Sequence, residues 1–278
     1  MSTPTEETQP SEGQPTTILT AALATTDRPR SVRAARRAVQ TAPAGDVRVL
    51  DADPDLARFL DPAQAQVARR HVVAEARSLE RGCWRAHDDP AVAKATFGLL
   101  VLEGVLARRA EVGRRSSLEL LGFGDVLCPD LADGDAYANV PQRGSWRVLV
   151  PARVAVLDDD LVAGLAGLHR VLAELNRRAL LRSRALALRL ALVEEPCLET
   201  RLELLLWHLA DRWGRREADA TALLLPLNRD LVAELANANP SAVGRALERL
   251  AERGRFARRA DGAFALFGDP PAAVADPA

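Results

Sequence analysis

The chain has 278 residues with 37 basic and 38 acidic side chains, a formal net charge of −1. That balance argues against a wholly basic, indiscriminate nucleic-acid binder, but whole-chain arithmetic averages away any local basic patch. The length suggests about two domains, and 48% apolar residues with only 4% aromatics point to globular cores built mostly from Leu, Val and Ala. Lys94 is the only lysine, so nearly all positive charge is Arg. Coding bias accounts for most of that, although Arg is also suited to bidentate phosphate and guanine contacts.

The three cysteines, Cys83, Cys128 and Cys197, are far apart and show no CxxC or CxxH spacing. That pattern excludes a zinc ribbon and leaves a four-thiolate cluster one ligand short, so no metal and no cofactor is expected. It fits a reducing compartment. No apolar run is long enough to span a bilayer, and the N-terminus lacks the apolar core of a signal peptide. A soluble, cytoplasmic protein without membrane attachment is expected.

Residues 1–45 are rich in Thr, Ser, Pro, Gln and Ala and carry few large apolar side chains, which predicts a disordered arm. Within it lie Arg28, Arg30, Arg33, Arg36 and Arg37, read either as a solvated tail or as an extra DNA- or partner-binding arm. Residues 61–77 look helical, with Val67, Val72 and Val73 among charges. The continuous apolar run 97–102 reads as a strand buried on both faces. Glu103-Gly104 interrupts it, a second strand over 105–112 follows, and Gly113-Arg114 supplies a turn. A short strand over 118–121 closes with Gly122-Phe123-Gly124-Asp125. A loop-like stretch over 129–144 precedes two more strands, 146–150 and 153–157. Several short strands with Gly turns predict a small antiparallel sandwich or roll.

The period then changes. Leu161, Leu165, Leu168, Leu172, Leu175 and Ala179 are spaced 4, 3, 4, 3, 4, as in an a/d seam. Ser183, Leu186, Leu190 and Val193 resume it after one extra step of four, a stutter. Gly164 and Gly167 separate a short helix from a longer one over 168–194, ~40 Å long at ~1.5 Å per residue. Pro196 ends it. The acids Asp158-Asp159-Asp160 fit a helix N-terminus through the dipole better than a metal site. The seam points to dimerisation through Leu168, Leu172, Leu175, Ala179, Leu186, Leu190 and Val193, the alternative being a helix packed within its own chain.

An amphipathic helix over 201–213 carries Leu202, Leu205, Leu206 and Leu209 on one face. After an extended piece over 223–227, Asn228 has the character of an N-cap for a helix over 229–235. Asn237 sits at a turn where a left-handed backbone is expected. Asn239-Pro240 then starts a helix that runs to about Arg253 and stops at Gly254. Helix, short turn, helix is the helix-turn-helix pattern. On the last helix Val243, Leu247 and Leu250 fall on the core face, leaving Ser241, Gly244, Arg245, Glu248 and Arg249 outward. Ser241 and Arg245 would meet base edges in a major groove, Arg245 being the best candidate for guanine. Asp261-Gly262 between two short apolar runs signals a hairpin, which makes the helix-turn-helix winged. From Arg245 to Arg259 there are six Arg and two Glu. Asn228, Arg229, Asn239, Ser241, Arg245, Arg249, Arg258 and Arg259 are therefore the candidate contacts to double-stranded DNA.

Two segments carry a resemblance. One is Leu99-Leu100-Val101-Leu102-Glu103-Gly104-Val105 followed by Leu120-Leu121-Gly122-Phe123-Gly124-Asp125. The other is Asn228-Arg229-Asp230-Leu231-Val232-Ala233-Glu234-Leu235-Ala236 followed by Ser241-Ala242-Val243-Gly244-Arg245-Ala246-Leu247. In this order, joined by a long helix, they resemble the Crp/Fnr family of bacterial transcription regulators over roughly residues 48–268. The resemblance implies an α+β chain: an N-terminal antiparallel β jelly roll of the cyclic-nucleotide-binding type, a long dimerisation helix and a C-terminal winged helix-turn-helix. It also implies a homodimer on pseudo-palindromic promoter sites, with RNA polymerase as a further partner.

The domain reading is then 1–45 arm, 46–160 sensor domain, 161–195 dimerisation helix, 196–268 DNA-binding domain and 269–278 tail. Where cyclic-nucleotide binders carry Gly-Glu after the Gly-Asp turn, this chain has Cys128-Pro129. Their Arg-Ser/Thr-Ala stretch reads Gln142-Arg143-Gly144-Ser145-Trp146, and the polar pair on the long helix reads Leu186-Ala187. A pocket near Cys128, Pro129, Arg143 and Leu186 lacks the carboxylate, cation and polar partners an anion needs, so cyclic AMP is not expected to bind tightly and the effector stays unassigned. The family's Arg-Glu pair at the start of the recognition helix reads Pro240-Ser241 and only Arg245 matches, which predicts a different DNA consensus. Redox or haem sensing through Cys83, Cys128, His71 and His87 has weak support, since such residues are usually structural. The competing function is a dimeric protein-interaction scaffold with weak or no specific DNA binding. An enzyme is disfavoured: no Ser/His/Asp arrangement and no phosphate-cradling loop is present.

Overall fold

A computed structural model describes residues 45–129 and 142–271. The arm 1–44 with its arginine cluster, the segment 130–141 and the tail 272–278 lie outside the described residues, so the expectations placed on them are not addressed by it.

The chain opens with strand β1 (Gly45–Arg48) and a single helical turn, α1 (Val49–Ala52). Helix α2 (Pro62–His71) begins where Asp61 accepts from the Gln64 N–H and Pro62 takes the first position. The sequence expectation of a helix to residue 77 is overturned: α2 stops at His71, and Val73–Leu79 is strand β2. Its burial alternates with period two, and it pairs with β1 and later with β7. Strand β3 (Gly82–Trp84) and the short helix α3 (Pro90–Lys94) follow.

Strand β4 (Gly98–Val112) is one element, not the two that Glu103-Gly104 suggested. The interruption survives as an irregularity, because its pairing with β7 shifts register between Val101 and Leu106. The shift changes parity: Leu99 and Val101 face one core before it, Leu106 faces that core after it, and Val105 and Ala107 turn the opposite way. Gly104 has a positive φ, and a Cβ there would lie 2.3 Å from the Pro151 carbonyl oxygen, so the close strand crossing requires glycine. Strand β5 (Arg115–Gly122) returns through the Gly113 turn. After the Gly-Asp turn comes β6 (Val126–Leu127), then β7 (Gln142–Leu157). The two strands expected over 146–157 are likewise one, since Pro151 needs no ladder donor where the register is irregular. All pairings are antiparallel, in the order β1-β2-β7-β4-β5, with β3 on β7 and β6 on β4.

The acidic triplet does what the dipole argument requires. Asp158 caps α4 (Asp159–Gly164) by accepting from the Leu161 N–H. Helix α5 (His169–Glu194) then runs 26 residues within one residue of its expected bounds. It lies against the β5–β6 end of the sheet. Arg178 bonds Asp53 and the Gly124 carbonyl, and Arg182 bonds Glu119 and the Val126 carbonyl, covering backbone acceptors that an edge would leave open. Helix α6 (Leu198–Trp213), strands β8 (Gly214–Arg216) and β9 (Thr221–Leu223), helices α7 (Arg229–Leu235) and α8 (Pro240–Glu252), and strands β10 (Phe256–Arg258) and β11 (Phe264–Leu266) complete the chain. The small sheet has the order β10-β11-β9-β8.

The C-terminal unit is not an independent bead. Val105, Ala107, Leu118 and Leu120 of the β4–β5 hairpin share one core with Leu202, Leu205, Leu206, Val232, Val243 and Leu250. Arg109 on β4 pairs with Glu234 on α7, and Arg212 on α6 pairs with Asp125 at 2.7 Å. The hairpin therefore presents one face to the C-terminal helices and the other to the interior of the N-terminal sheet.

Candidate nucleic-acid interface

The α7–turn–α8 unit is built by local chemistry. The Asn228 side chain accepts from the Leu231 N–H at 2.8 Å and starts α7. Asn237 is the one non-glycine at positive φ among the described residues, 49°, as the turn requires. The Asn239 side chain accepts from the Ser241 N–H at 2.9 Å and Pro240 occupies the first turn of α8. Both asparagines thus spend their side-chain oxygen on a helix start, while their exposed amide N–H groups still face solvent.

The faces of α8 separate cleanly. Val243, Ala246 and Leu250 are fully buried and Leu247 partly so. Ser241, Arg245, Glu248 and Arg249 are exposed. Gly244 has a specific neighbour: a Cβ there would sit 3.4 Å from Cδ of Arg229, an ordinary contact, so Arg229 lies alongside this turn of α8. Gly254, at φ 67°, ends the helix. The hairpin that follows is wider than a two-residue Asp-Gly turn. Arg258 pairs with Phe264, and residues 259–263 form the loop, with Asp261 accepting from the Ala263 N–H and Gly262 at φ 81°. Phe256 and Phe264 lock its base edge-to-face at 4.9 Å.

The structure sorts the candidate arginines by what already holds them. Arg249 is paired with Glu199 on α6, which also takes Arg253 at 3.3 Å. Arg259 is paired with Glu217 at 2.7 Å and lies 3.5 Å from Asp261. Each of these two candidate contacts thus forms an intrachain ion pair while its side chain stays partly open to solvent. Hydrogen bonds from Arg215 and then Arg259 hold the Glu217 carboxyl below its usual range. Arg229 and Arg258 are exposed and, like Arg245, form no ion pair among the described residues. The sequence reading missed Glu199 and Glu217 because they lie 50 and 42 residues from their partners, with no local spacing to signal the pairing. The free cationic face is thus Arg229, Arg245 and Arg258, with Ser241 beside Arg245.

The two halves of the long helix differ in burial. Leu175 is 2% exposed, and it packs with Val171, Leu161 and Leu165 into its own chain, with Leu168 and Leu172 against the same core. Leu175 is thus spent within its own chain, while Leu168 and Leu172 are only partly buried. The C-terminal half differs. Ala179 is exposed, Leu186 and Val193 are half-buried, and Leu190 is 66% exposed. Leu180, Leu181 and Leu188 are exposed as well, on positions the heptad reading did not select.

At the suspected pocket, the Cys128 thiol donates to the Phe97 carbonyl at 3.4 Å, Pro129 is buried and Arg143 is exposed on β7. The helix side is occupied by protein: Arg178 and Arg182 reach into the Gly-Asp turn and β6, and Asp125 accepts from the Gly122 N–H and from Arg212. Among the described residues no group of three or more His, Cys, Asp or Glu side chains is placed to hold a metal ion. No described helix is long and apolar enough to cross a membrane.

No family model matches the chain, and no curated protein does. Solved structures are similar to it. A cyclic nucleotide-binding domain containing protein from Listeria monocytogenes is 14% identical, with 79% of this chain and 97% of that chain covered and a TM-score of 0.54. A transcriptional regulator of the CRP family from Thermus thermophilus is 19% identical, covering 69% and 92% with a TM-score of 0.51. FixK2 from Bradyrhizobium japonicum is 18% identical over the same shares, also at 0.51. At these identities the likeness is one of fold.

Proposed function

We propose that this chain, which has a Crp/Fnr-like fold, is a sequence-specific DNA-binding transcription regulator. It acts as a homodimer on pseudo-palindromic promoter sites, without control by cyclic AMP and without enzymatic activity. One observation carries the reading: Arg245 and Ser241 stand exposed on an N-capped helix whose opposite face packs into the core through Val243, Ala246 and Leu250, with Arg229 and Arg258 exposed and without an ion pair among the described residues. A helix so held can enter a major groove N-terminus first, Arg245 reading a guanine while Arg229 and Arg258 neutralise phosphates.

Dimerisation is assigned to the C-terminal half of α5, through Ala179, Leu186, Leu190 and Val193 with Leu180, Leu181 and Leu188. Of these, Ala179, Leu180, Leu181, Leu188 and Leu190 are exposed, and Leu186 and Val193 are half-buried. Two recognition helices related by a two-fold axis read the two halves of a palindrome. Contact with RNA polymerase and a cytoplasmic location accompany this reading. Cyclic AMP is disfavoured because Cys128-Pro129 stands where a carboxylate is needed, and because Arg182 is already engaged by Glu119.

Genome-wide occupancy of the tagged protein, followed by fluorescence anisotropy on the recovered site, tests it. The Ser241→Glu, Arg245→Ala variant is expected to lose promoter occupancy while remaining folded. Unchanged occupancy would instead favour a protein-interaction scaffold.

A further inference from the structure

Helix α8 carries more on its outward face than Ser241 and Arg245. At about 100° of rotation per residue, Arg245, Glu248 and Glu252 all fall within about 40° of Ser241, on one line down the helix. Arg249 and Arg253 fall about 80° and about 120° away. The ion pairs agree with that geometry: Arg249 and Arg253 turn back to Glu199 on α6, and Arg255, just past the helix, turns back to Glu203. Glu248 and Glu252 stay exposed. The centre line of the helix therefore runs hydroxyl, cation, carboxylate, carboxylate.

The two carboxylates contribute nothing to the fold. Neither forms an ion pair among the described residues, although Arg245 stands three residues before Glu248 and Arg249 three before Glu252. The spacing i, i+4 makes them repel each other, and Glu252 lies in the last turn, where the helix dipole disfavours an acid. On a surface that meets phosphates they also cost affinity for any duplex. The arginines of this unit are neutralised instead by Glu199, Glu203 and Glu217, none of them on α8. A local cost kept at the middle of a working face points to a partner outside the chain.

Position says what Glu248 meets. Arg245 and Glu248 are about 4.5 Å apart along the axis at ~1.5 Å per residue, close to the ~3.4 Å step between base pairs. With Ser241 they repeat at i, i+4 and i+7, a spacing by which one helix face follows a major groove. A carboxylate only accepts, so at a base edge it needs a donor. Cytosine presents its N4 amino group alone in the major groove. Guanine and thymine present acceptors, and the adenine N6 amino group stands beside the N7 acceptor. We propose that Glu248 is a specificity-determining residue that accepts from the N4 amino group of a cytosine about one base step from the guanine read by Arg245. The same charge holds α8 off DNA lacking that cytosine, because an unpaired carboxylate is repelled by phosphates and by acceptor edges. Glu252, one turn further from the end that enters the groove, supplies repulsion only. This contact rests on the regulator reading and names part of the sequence that the regulator selects.

The test uses the full chain and fluorescence anisotropy on the site recovered by genome-wide occupancy. The panel holds every single-base change in one half-site and a duplex without the site. Wild type is expected to lose about tenfold in affinity when one cytosine beside the Arg245-dependent guanine is replaced. Glu248→Ala is expected to erase the preference at that position alone and to bind the siteless duplex more tightly. Glu248→Gln is expected to move the preference from cytosine towards adenine, whose N6 and N7 an amide can bridge. Both variants should melt no lower than wild type, since each removes the repulsion with Glu252. Glu252→Ala should tighten all duplexes without re-ranking them. If wild type and Glu248→Ala rank every base alike, the proposal is overturned, even where the variant tightens all sequences. A preference lost across the whole half-site, rather than at one position, overturns it too. Arg245→Ala runs on the same panel: one position relaxed by Arg245→Ala and none by Glu248→Ala overturns this inference alone. A wild type that prefers no duplex over another overturns the regulator reading, and this contact with it.

Discussion

At the scale of single residues, this protein is governed by which arginines have carboxylates. Arg245 has none among the described residues, and its contribution should appear in binding. Arg245→Ala is expected to cost about 1–3 kcal/mol on the cognate site and to relax the preference at one base position, measured by anisotropy over a panel of site variants. Arg229→Ala and Arg258→Ala, acting on phosphates, should weaken all sequences alike and each lower the salt-dependence slope by about one. Glu174 is the opposite case, 2% exposed and ringed by Arg58, Arg177 and Arg178. Burial alone pushes its carboxyl up, but hydrogen bonds from Arg177 and Arg178 outweigh that and hold it below the ordinary carboxylate range. A depressed folded-state value means stability that is present above the unfolded carboxylate's pKa and lost as pH falls through the folded one. Chemical denaturation across about pH 2–6 should show Glu174→Gln less stable near neutrality and less sensitive to acid, the range being set by the ordinary carboxylate value of about 4.3. An unchanged acid slope would count against this network.

At the scale of elements, caps and edges decide where things begin and what they lean on. Helix α8 depends on the Asn239 cap, and Asn239→Ala should cost about 1 kcal/mol in urea denaturation, with Asn239→Ser largely restoring it. Helix α5 does two jobs along its length. Its first half closes the sheet with Val171 and Leu175, so Leu175→Ala should act as a core truncation of about 2–5 kcal/mol. Its second half leaves Leu180, Leu188 and Leu190 outward. Leu190→Glu should therefore leave the fold intact and abolish the dimer in sedimentation equilibrium, whereas a dimer that persists would place the interface elsewhere. The heptad pattern alone made these halves one seam. Leu168, Leu172 and Leu175 repeat like dimer contacts because a helix packed on a sheet and a helix packed on a helix both need an apolar stripe of similar spacing.

At the scale of the whole molecule, the shared core is the controlling feature. Leu118 and Leu120 join a cluster whose other members come largely from α6, α7 and α8, and Arg109 and Arg212 bolt the same junction to Glu234 and Asp125. Domains that share a core unfold together, so a single cooperative calorimetric transition is expected. Leu120→Ala should split or broaden it and weaken DNA binding at a distance, through the orientation of α7. Two separate transitions in the wild type would contradict a common core. His208 adds a pH lever at the same junction: burial lowers its pKa, with Asp211 and Arg189 nearby as opposing influences. The unfolded chain then binds the extra proton more readily, so stability falls as pH drops below about 6.5, and His208→Gln should flatten that slope.

What the sequence determined by itself is what hydrogen bonding between near neighbours controls. Asn228, Asn239-Pro240, Asn237 and Gly254 set the helix-turn-helix within a few residues, Asp158 starts the short helix α4, and Pro196 stands just past the end of the long helix. Each acts through backbone groups two to four positions away, and no distant partner is needed. The tertiary structure decided whatever depends on a partner far along the chain. It joined β4 across Gly104, because pairing with β7 outweighs a local break, and it turned 73–79 into a strand because β1 and β7 were there to pair. It neutralised Arg249 and Arg259 with Glu199 and Glu217, and it left Arg108 and Arg189 short of carboxylates at one end of a sheet. A local pattern fixes where a side chain points along its own element, but only the packed chain fixes which charge it faces, since that is a balance of burial and ion pairing among residues brought together by folding.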